Sequence, residues 1–167
     1  MGLDFPNLPY LIRGDFKITE SLAIANYIIR SSKHPELLGK TVEDQTKVEM
    51  LLFMLEDIFN PTLNMFFSPA HSTQKTALYD NKVKTKLEEL NHFIGDKEFA
   101  LGYLTLIDFK IAEMSYYFEK LYSEHTKKFD TILRIRKNVE NLPEIKQFYQ
   151  KGGLASPFLP SYAQLKF

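Results

Sequence analysis

Two short stretches near the start of the sequence carry residues that could bind a small charged molecule. Pro9 opens an apolar segment that predicts a strand, and proline has no N–H for a strand ladder, so its place is a strand entrance or edge. A cis bond at Pro9 would leave the backbone of Leu8 free to pair with another molecule. Glu20 and Ser21 stand at a predicted helix N-terminus, where free N–H groups and the helix dipole favour an anion. Together they suit a small peptide that carries a carboxylate.

Both stretches also have a purely structural interpretation, which stays open at this point. Glu20 and Ser21 can serve only as the cap of a helix, since serine is common at that position. Leu8 and Pro9 can form an inert turn before a strand. Residue types and spacing alone do not choose between a cap and a ligand site.

The composition narrows the class of protein. The chain has 167 residues, of which 44% are hydrophobic, enough to build a core, and it has 21 basic and 21 acidic side chains. This balance gives no indication of nucleic acid or an anionic membrane as a partner. The absence of cysteine excludes disulfides, thiol catalysis and zinc ribbons. The four histidines share no metal-ligand spacing, so no metal site is expected.

The sequence shows no sign of export or of a membrane anchor. It begins without the basic and apolar regions of a signal peptide. It also contains no apolar run of about 18 residues, so no membrane span is expected. A cytoplasmic protein is predicted.

The pattern of apolar and turn residues predicts an α+β fold that is mostly α. Residues 10–12 and 16–18 are predicted to form a β-hairpin around a turn. A helix is predicted over 20–32, with Ala23, Ile24, Tyr27 and Ile28 on one face. A linker at 33–40 contains Pro35 and Gly39. The predicted domains are therefore 1–32 and 41–167, joined by that linker.

From residue 41 onward the pattern is helical throughout. Thr41 and Asp44 resemble a capping box, and Thr105 and Asp108 form a cleaner one. Pro61 is expected to interrupt the first long helix. A second long helix is predicted over 72–94, and two shorter ones near the end. The helix opened by Thr105 is predicted to bury five apolar side chains: Ile107, Ile111, Met114, Phe118 and Leu121.

Three segments of the sequence resemble the cytosolic glutathione transferases. The closest class match is GLDFPNLPYL at residues 2–11, which is similar to the mu class. TLIDF at 105–109 resembles the capping box of that family's core helix, and NLPEI at 141–145 resembles the opening of a late helix. The resemblance implies part of a thioredoxin-like N-terminal domain, lacking its first β-α-β part, followed by the all-helical C-terminal domain.

The resemblance also implies a glutathione site, with glutathione as substrate and no separate cofactor. Leu8, with Pro9 in cis, would pair through its backbone with the cysteinyl part of the tripeptide. Ser21 would bind the γ-glutamyl carboxylate, and Glu20 would bind the γ-glutamyl ammonium. Asn7 would lie at the edge of the site.

Three further residues receive roles from the same resemblance. Asp57 aligns with the acid that reaches the ammonium from the neighbouring subunit. Phe67 stands on the second-substrate side, where mu enzymes often have a tyrosine. Phe5 aligns with the aromatic residue that anchors the partner in a mu-type dimer. An alternative for Phe5 is an ordinary core position, and for Asp57 a solvated helix position.

No catalytic residue can be assigned by this route. The family's catalytic tyrosine lies on a strand for which this sequence has no counterpart, and its hydroxyl would stabilise the glutathione thiolate. Two hypotheses follow. The first is a glutathione transferase-like protein in which ancestral glutathione conjugation is impaired in this chain. The alternative is a non-catalytic structural subunit, because a two-stranded hairpin needs a cover. The expected partner is a second copy or a larger protein complex.

Overall fold

The computed structural model describes residues 2–152, apart from the side chains of residues 71 and 72. Within it the chain forms two compact units that divide between Thr46 and Lys47. The predicted packing of residues 154–167 against the helices lies outside the described range.

The first unit begins with the predicted β-hairpin. Strands β1 (Tyr10–Arg13) and β2 (Phe16–Thr19) pair antiparallel, with Tyr10 opposite Thr19 and Arg13 opposite Phe16. Gly14 opens the two-residue turn at φ +60°, a conformation that only glycine adopts without strain. The hairpin is therefore fixed by local sequence.

Helix α1 (Ser21–Arg30) packs against one face of this hairpin. The ring of Tyr27 lies 4.7 Å from that of Phe16, and Arg13 Nη1 donates to Tyr27 Oη at 3.0 Å. Two of the four residues predicted to share one face of this helix, Ala23 and Ile28, are exposed. Ile29 is buried and Ile28 is 52% exposed, because the run of apolar residues around them allows more than one face.

A short 3-10 helix, Pro35–Leu38, occupies the predicted linker and leads to Gly39. At Gly39 a β-carbon would lie 2.5 Å from the backbone nitrogen of Gln45, and φ is +118°. Only glycine fits here, so Gly39 fixes how the chain enters the next helix.

The second unit is helical in the part of the chain that the structure describes, and α2 begins just before the boundary between the units. Its helices are α2 (Val42–Met65), α3 (His71–Leu78), α4 (Lys84–Ile94), α5 (Leu106–Leu121), α6 (Ser123–Thr126), α7 (Asp130–Glu140) and α8 (Pro143–Gln150). The predicted α+β class, a hairpin and one helix followed by an all-helical bundle, is confirmed. The sequence did not predict α6.

Helix α5 lies in the middle of the second unit and packs on α7. All five apolar side chains predicted to face inward from α5 are buried. Its N-terminus carries the predicted capping box: Thr105 N donates to Asp108 Oδ2 at 2.8 Å, and the Thr105 side chain accepts from the backbone at Asp108. The Asp108 carboxylate also accepts from Ala100 N at 2.7 Å, which ties the preceding loop to the helix.

Two details of the helices differ from the sequence prediction. Pro61 lies inside α2, which continues to Met65; the missing N–H costs one bond, and the helix around it stays buried through Ile58 and Thr62. Between α3 and α4, the chain makes a π-helical turn at Tyr79–Val83, where Tyr79 and Val83 are buried. A π turn carries an extra residue, which shifts the buried positions from those that a regular helix predicts.

Candidate functional site

The register of the hairpin brings the two candidate stretches to the same end of the first unit. Tyr10 and Thr19 are the last pair of the ladder. Leu8 and Pro9 precede Tyr10 directly, and Glu20 follows Thr19. A bond between side chains confirms the proximity, since Asn7 Nδ2 donates to Glu20 Oε1 at 3.3 Å.

The first stretch presents its backbone to solvent. The Leu8–Pro9 peptide bond is cis, as the resemblance implies. The side chain of Leu8 is 78% exposed, and its N–H donates to Asn7 Oδ1 at 2.9 Å. The Leu8 N–H is therefore bonded to the side chain of its neighbour, in a segment that is exposed to solvent.

The second stretch begins α1 with an unusual backbone. Glu20 is the N-cap residue of the helix, and its φ of +72° makes it the one non-glycine residue with a positive φ among residues 2–152. Such conformations cost about 1–3 kcal/mol and cluster at ligand sites. The Glu20 side chain turns to Asn7, and no side chain in the described range caps the helix.

The N-terminus of α1 is consequently suited to an anion. The backbone carbonyl of Glu20 accepts from Ile24 N at 3.0 Å, so the helix is well formed from its first turn. The helix has no acidic side chain in that turn, and Ser21 is exposed there. Its first N–H groups and the Ser21 hydroxyl together offer donors to a carboxylate.

Three predicted site residues are not part of this cluster. Phe5 is 79% exposed in the first unit. Asp57 is exposed on α2, and Phe67 is half-buried in the turn that follows α2; both belong to the second unit. The structure thus brings together Asn7, Leu8, Pro9, Glu20 and Ser21.

A group of aromatic side chains lies near the end of α2. The ring of Tyr117 lies 5.6 Å from those of both Phe59 and Phe66, edge to face. Burial, followed by the nearby charge of Glu113, raises the pKa of Tyr117. Its hydroxyl therefore keeps its proton and can act as a hydrogen-bond donor beside Phe66.

Tyr122 is a second buried tyrosine of the helical unit. Its hydroxyl is buried beside Thr62 but makes no hydrogen bond of ordinary geometry to any described residue. The Thr62 hydroxyl already donates to the carbonyl of Ile58 at 2.7 Å. Burial raises the pKa of Tyr122 to about 12. This residue belongs to the core of the helical unit.

Residues 2–152 contain neither a candidate metal site nor a membrane-spanning helix. No group of three histidine, aspartate or glutamate side chains is placed to hold a metal ion there. The helices of this range include none that is both long and apolar enough to cross a membrane.

Two family models match the chain. The model described as "Glutathione S-transferase, C-terminal domain" matches residues 56–152. The model described as "Glutathione S-transferase, N-terminal domain" matches residues 3–30. These ranges contain the hairpin with α1 and the helical bundle from within α2 onward, so the first unit holds a partial thioredoxin-like domain.

The chain is also similar to individual glutathione S-transferases. The chain is similar to glutathione S-transferase 2 of Gallus gallus, at 40% identity over 65% of this chain and 48% of the relative. It therefore spans about half the length of that relative. It is also similar to the class-mu 26 kDa isozyme of Schistosoma mansoni, at 31% identity over 89% of this chain and 66% of the relative.

A solved structure extends the likeness to the fold. The glutathione S-transferase Blo t 8 superposes with a TM-score of 0.82 at 28% identity, covering 99% of this chain and 78% of that one. The hairpin, the capped central helix and the matched family models agree, and with them the resemblance to the mu class is confirmed. The chain belongs to the glutathione S-transferase family.

Proposed function

We propose that this is a mu-like glutathione transferase-like protein whose first unit binds the γ-glutamyl-cysteinyl part of glutathione. One observation carries the proposal: the hairpin register sets the exposed backbone of Leu8 and the open N-terminus of α1 side by side. A tripeptide with a carboxylate at one end needs both features, one for its backbone and one for its charge.

Each residue of the cluster then has one role. The backbone of Leu8, beside cis Pro9, pairs with the cysteinyl residue of the ligand. The Ser21 hydroxyl and the N–H groups of α1 bind the γ-glutamyl carboxylate, and the Glu20 carboxylate binds the neighbouring ammonium. Asn7 lies between Leu8 and Glu20 and is bonded to both.

Conjugation requires more than binding. The glutathione thiol attacks an electrophile as the thiolate, and a hydrogen-bond donor must stabilise that thiolate. We assign this role to none of the residues of the cluster, and Phe67, on the proposed second-substrate side, carries no hydroxyl. The expected activity of the 167-residue chain is therefore binding of glutathione with little or no conjugation.

We further propose that the protein acts in the cytoplasm as a homodimer. Exposed apolar side chains support an association: Phe5 is 79% exposed, and Phe53 and Met50, one turn apart on α2, are 69% and 53% exposed. In such a dimer Phe5 anchors the partner, and Asp57 completes the glutathione site of the other subunit. The proposed domains remain 1–32 and 41–167 around the linker 33–40.

Titration calorimetry with S-methylglutathione tests the binding. The unmodified chain is expected to bind it, and Ser21→Ala is expected to weaken binding by about tenfold, since a hydrogen bond to a charged group is lost. Ser32→Ala, just beyond the other end of α1, removes a hydroxyl that donates to the Ile29 carbonyl at 2.8 Å, and serves as the matched control. Equal affinity in all three proteins would contradict the proposal.

A second candidate function is a non-catalytic subunit of a larger protein assembly. The observation that favours it is the open face of the hairpin, where Tyr10 is 41% and Ile12 45% exposed. A two-stranded sheet with an uncovered apolar face is marginal alone. If sedimentation finds the purified chain to be a stable, well-folded monomer, this candidate is excluded.

A further inference from the structure

We propose that Asn7 is a positioning residue that holds the Glu20 carboxylate in place for the ammonium group of the ligand. The inference rests on the proposed glutathione-binding function and adds a role to one side chain of that site. Its basis is the pair of opposed hydrogen bonds that the Asn7 amide makes across the end of the hairpin.

The two bonds fix the orientation of the amide. Asn7 Oδ1 accepts from Leu8 N at 2.9 Å, and Nδ2 donates to Glu20 Oε1 at 3.3 Å. The reverse orientation would set an NH2 group against the Leu8 N–H and an oxygen against the carboxylate, so both contacts would be repulsive. The amide therefore joins residues that are thirteen positions apart in the sequence.

Glu20 needs such a partner. Its φ of +72° directs the side chain away from the helix that it precedes, and it makes no capping bond there. An exposed glutamate with no partner samples several rotamers, and fixing them on binding costs free energy. The bond from Asn7 selects one arrangement before the ligand arrives.

The hydrogen bond from Asn7 also leaves the Glu20 carboxylate able to bind the ammonium group of the ligand. An ionised carboxylate has about four lone-pair sites, and the Asn7 amide uses one of them on Oε1. The amide is neutral, so it does not cancel the negative charge that attracts an ammonium. Asn7 therefore orients the Glu20 carboxylate and leaves its charge and most of its lone pairs available to an ammonium group.

Titration of S-methylglutathione into four proteins tests the role: the unmodified chain, Asn7→Ala, Glu20→Gln and the double variant. Asn7→Ala is expected to weaken binding by between about threefold and tenfold, the value of one lost hydrogen bond. The double variant is expected to bind no more weakly than Glu20→Gln alone, because Asn7 acts through Glu20. An N-acetylated form of the same ligand, which lacks the ammonium, should not distinguish Asn7→Ala from the unmodified chain.

Asn138→Ala is the control for the loss of an asparagine side-chain bond elsewhere, since Asn138 Nδ2 donates to the Glu98 carbonyl at 2.8 Å. Its affinity should equal that of the unmodified chain. Unchanged or additive effects of Asn7→Ala would overturn the inference while the binding proposal stands. Tighter binding by Asn7→Ala would also overturn it, since it would mean that Asn7 competes with the ligand for the Leu8 N–H. If the unmodified chain does not bind S-methylglutathione, both the binding proposal and the role of Asn7 are overturned.

Discussion

Asp108 accepts hydrogen bonds from the backbone N–H of Ala100 at 2.7 Å, eight positions earlier in the chain, at the start of the central helix. The same carboxylate accepts from the Thr105 N–H and hydroxyl, at 2.8 and 3.0 Å. All three residues are fully buried. The Asp108 side chain therefore accepts hydrogen bonds both from the backbone at the start of α5 and from the loop before it.

Replacing Asp108 with alanine is expected to lower the free energy of unfolding by about 3 kcal/mol. The reason is that two buried N–H groups lose their acceptor, each at a cost of about 1–3 kcal/mol, with partial relaxation. Chemical denaturation monitored by circular dichroism measures the change. Thr41→Ala, which removes the solvent-exposed cap of α2, should cost only about 1 kcal/mol. Equal losses in the two variants would contradict this account.

Tyr122→Phe is expected to leave the free energy of unfolding at neutral pH unchanged, or to raise it by up to about 1 kcal/mol. The hydroxyl is buried without a hydrogen bond of ordinary geometry in the described range, so its removal relieves a desolvation cost. Thermal or chemical unfolding of both proteins at the same pH tests this. A loss above about 1 kcal/mol would show that the hydroxyl has a strong partner.

The raised pKa of Tyr122 also makes the free energy of unfolding depend on pH in the alkaline range. Burial raises the pKa of Tyr122 from 10.0 to about 12. Between these values the unfolded chain has lost the phenolic proton and the folded chain keeps it, so stability falls as pH rises. Two pKa units correspond to about 3 kcal/mol. Because pH 11 lies midway between the two pKa values, unfolding measured at about pH 9 and about pH 11 should show roughly half of this loss in the unmodified chain and a smaller loss in Tyr122→Phe. Tyr149→Phe, at an exposed position, should behave as the unmodified chain.

Glu20→Gly is expected to separate stability from binding. Glycine adopts a φ of +72° without steric cost, so this variant should be more stable than Glu20→Gln by about 1 kcal/mol or more. Both variants lack the carboxylate and should bind S-methylglutathione more weakly than the unmodified chain. Thermal unfolding and calorimetry measure the two effects. Equal stability of the two variants would show that the backbone at residue 20 is not strained.

Phe53→Glu is expected to convert a dimer into monomers. Phe53 is 69% exposed on α2, and burying a charge in its place at an interface would be costly. Sedimentation at several concentrations measures the dissociation constant. Phe5→Ala should weaken the same association, whereas Phe148→Glu on α8 should not. If the unmodified chain is already monomeric, or if Phe53→Glu leaves the dimer intact, α2 is not the interface.

The parts of the fold that the sequence predicted are those fixed by local rules. The hairpin follows from alternating residues around Gly14, and α5 follows from a capping box and a regular apolar spacing. In α1 several apolar residues are adjacent, so the spacing allows more than one buried face, and in the folded unit Ile29 rather than Ile28 is buried. The π turn at Tyr79–Val83 has no known local signature and could not be read from the sequence.

The site was predictable to a similar extent. Leu8, Pro9, Glu20 and Ser21 were found because strand and helix termini have recognisable residue types. The bond between Asn7 and Glu20 was not found, since it depends on the hairpin register and on a positive φ at a residue that rarely adopts one. The ligand-binding roles of these residues stay predictions, as do the roles of Asp57 and Phe67, which came from resemblance alone.

The extra residue at Tyr79–Val83 gives the helical stretch from His71 to Ile94 a place where its length can change. Deleting one residue there would restore regular α-helical bonding, and the turns on either side would keep their facing because a π turn takes up its extra residue locally. Everything from Leu87 onward would keep its position in the core. Among homologous chains, single-residue insertions and deletions in this helix should therefore be concentrated at this turn.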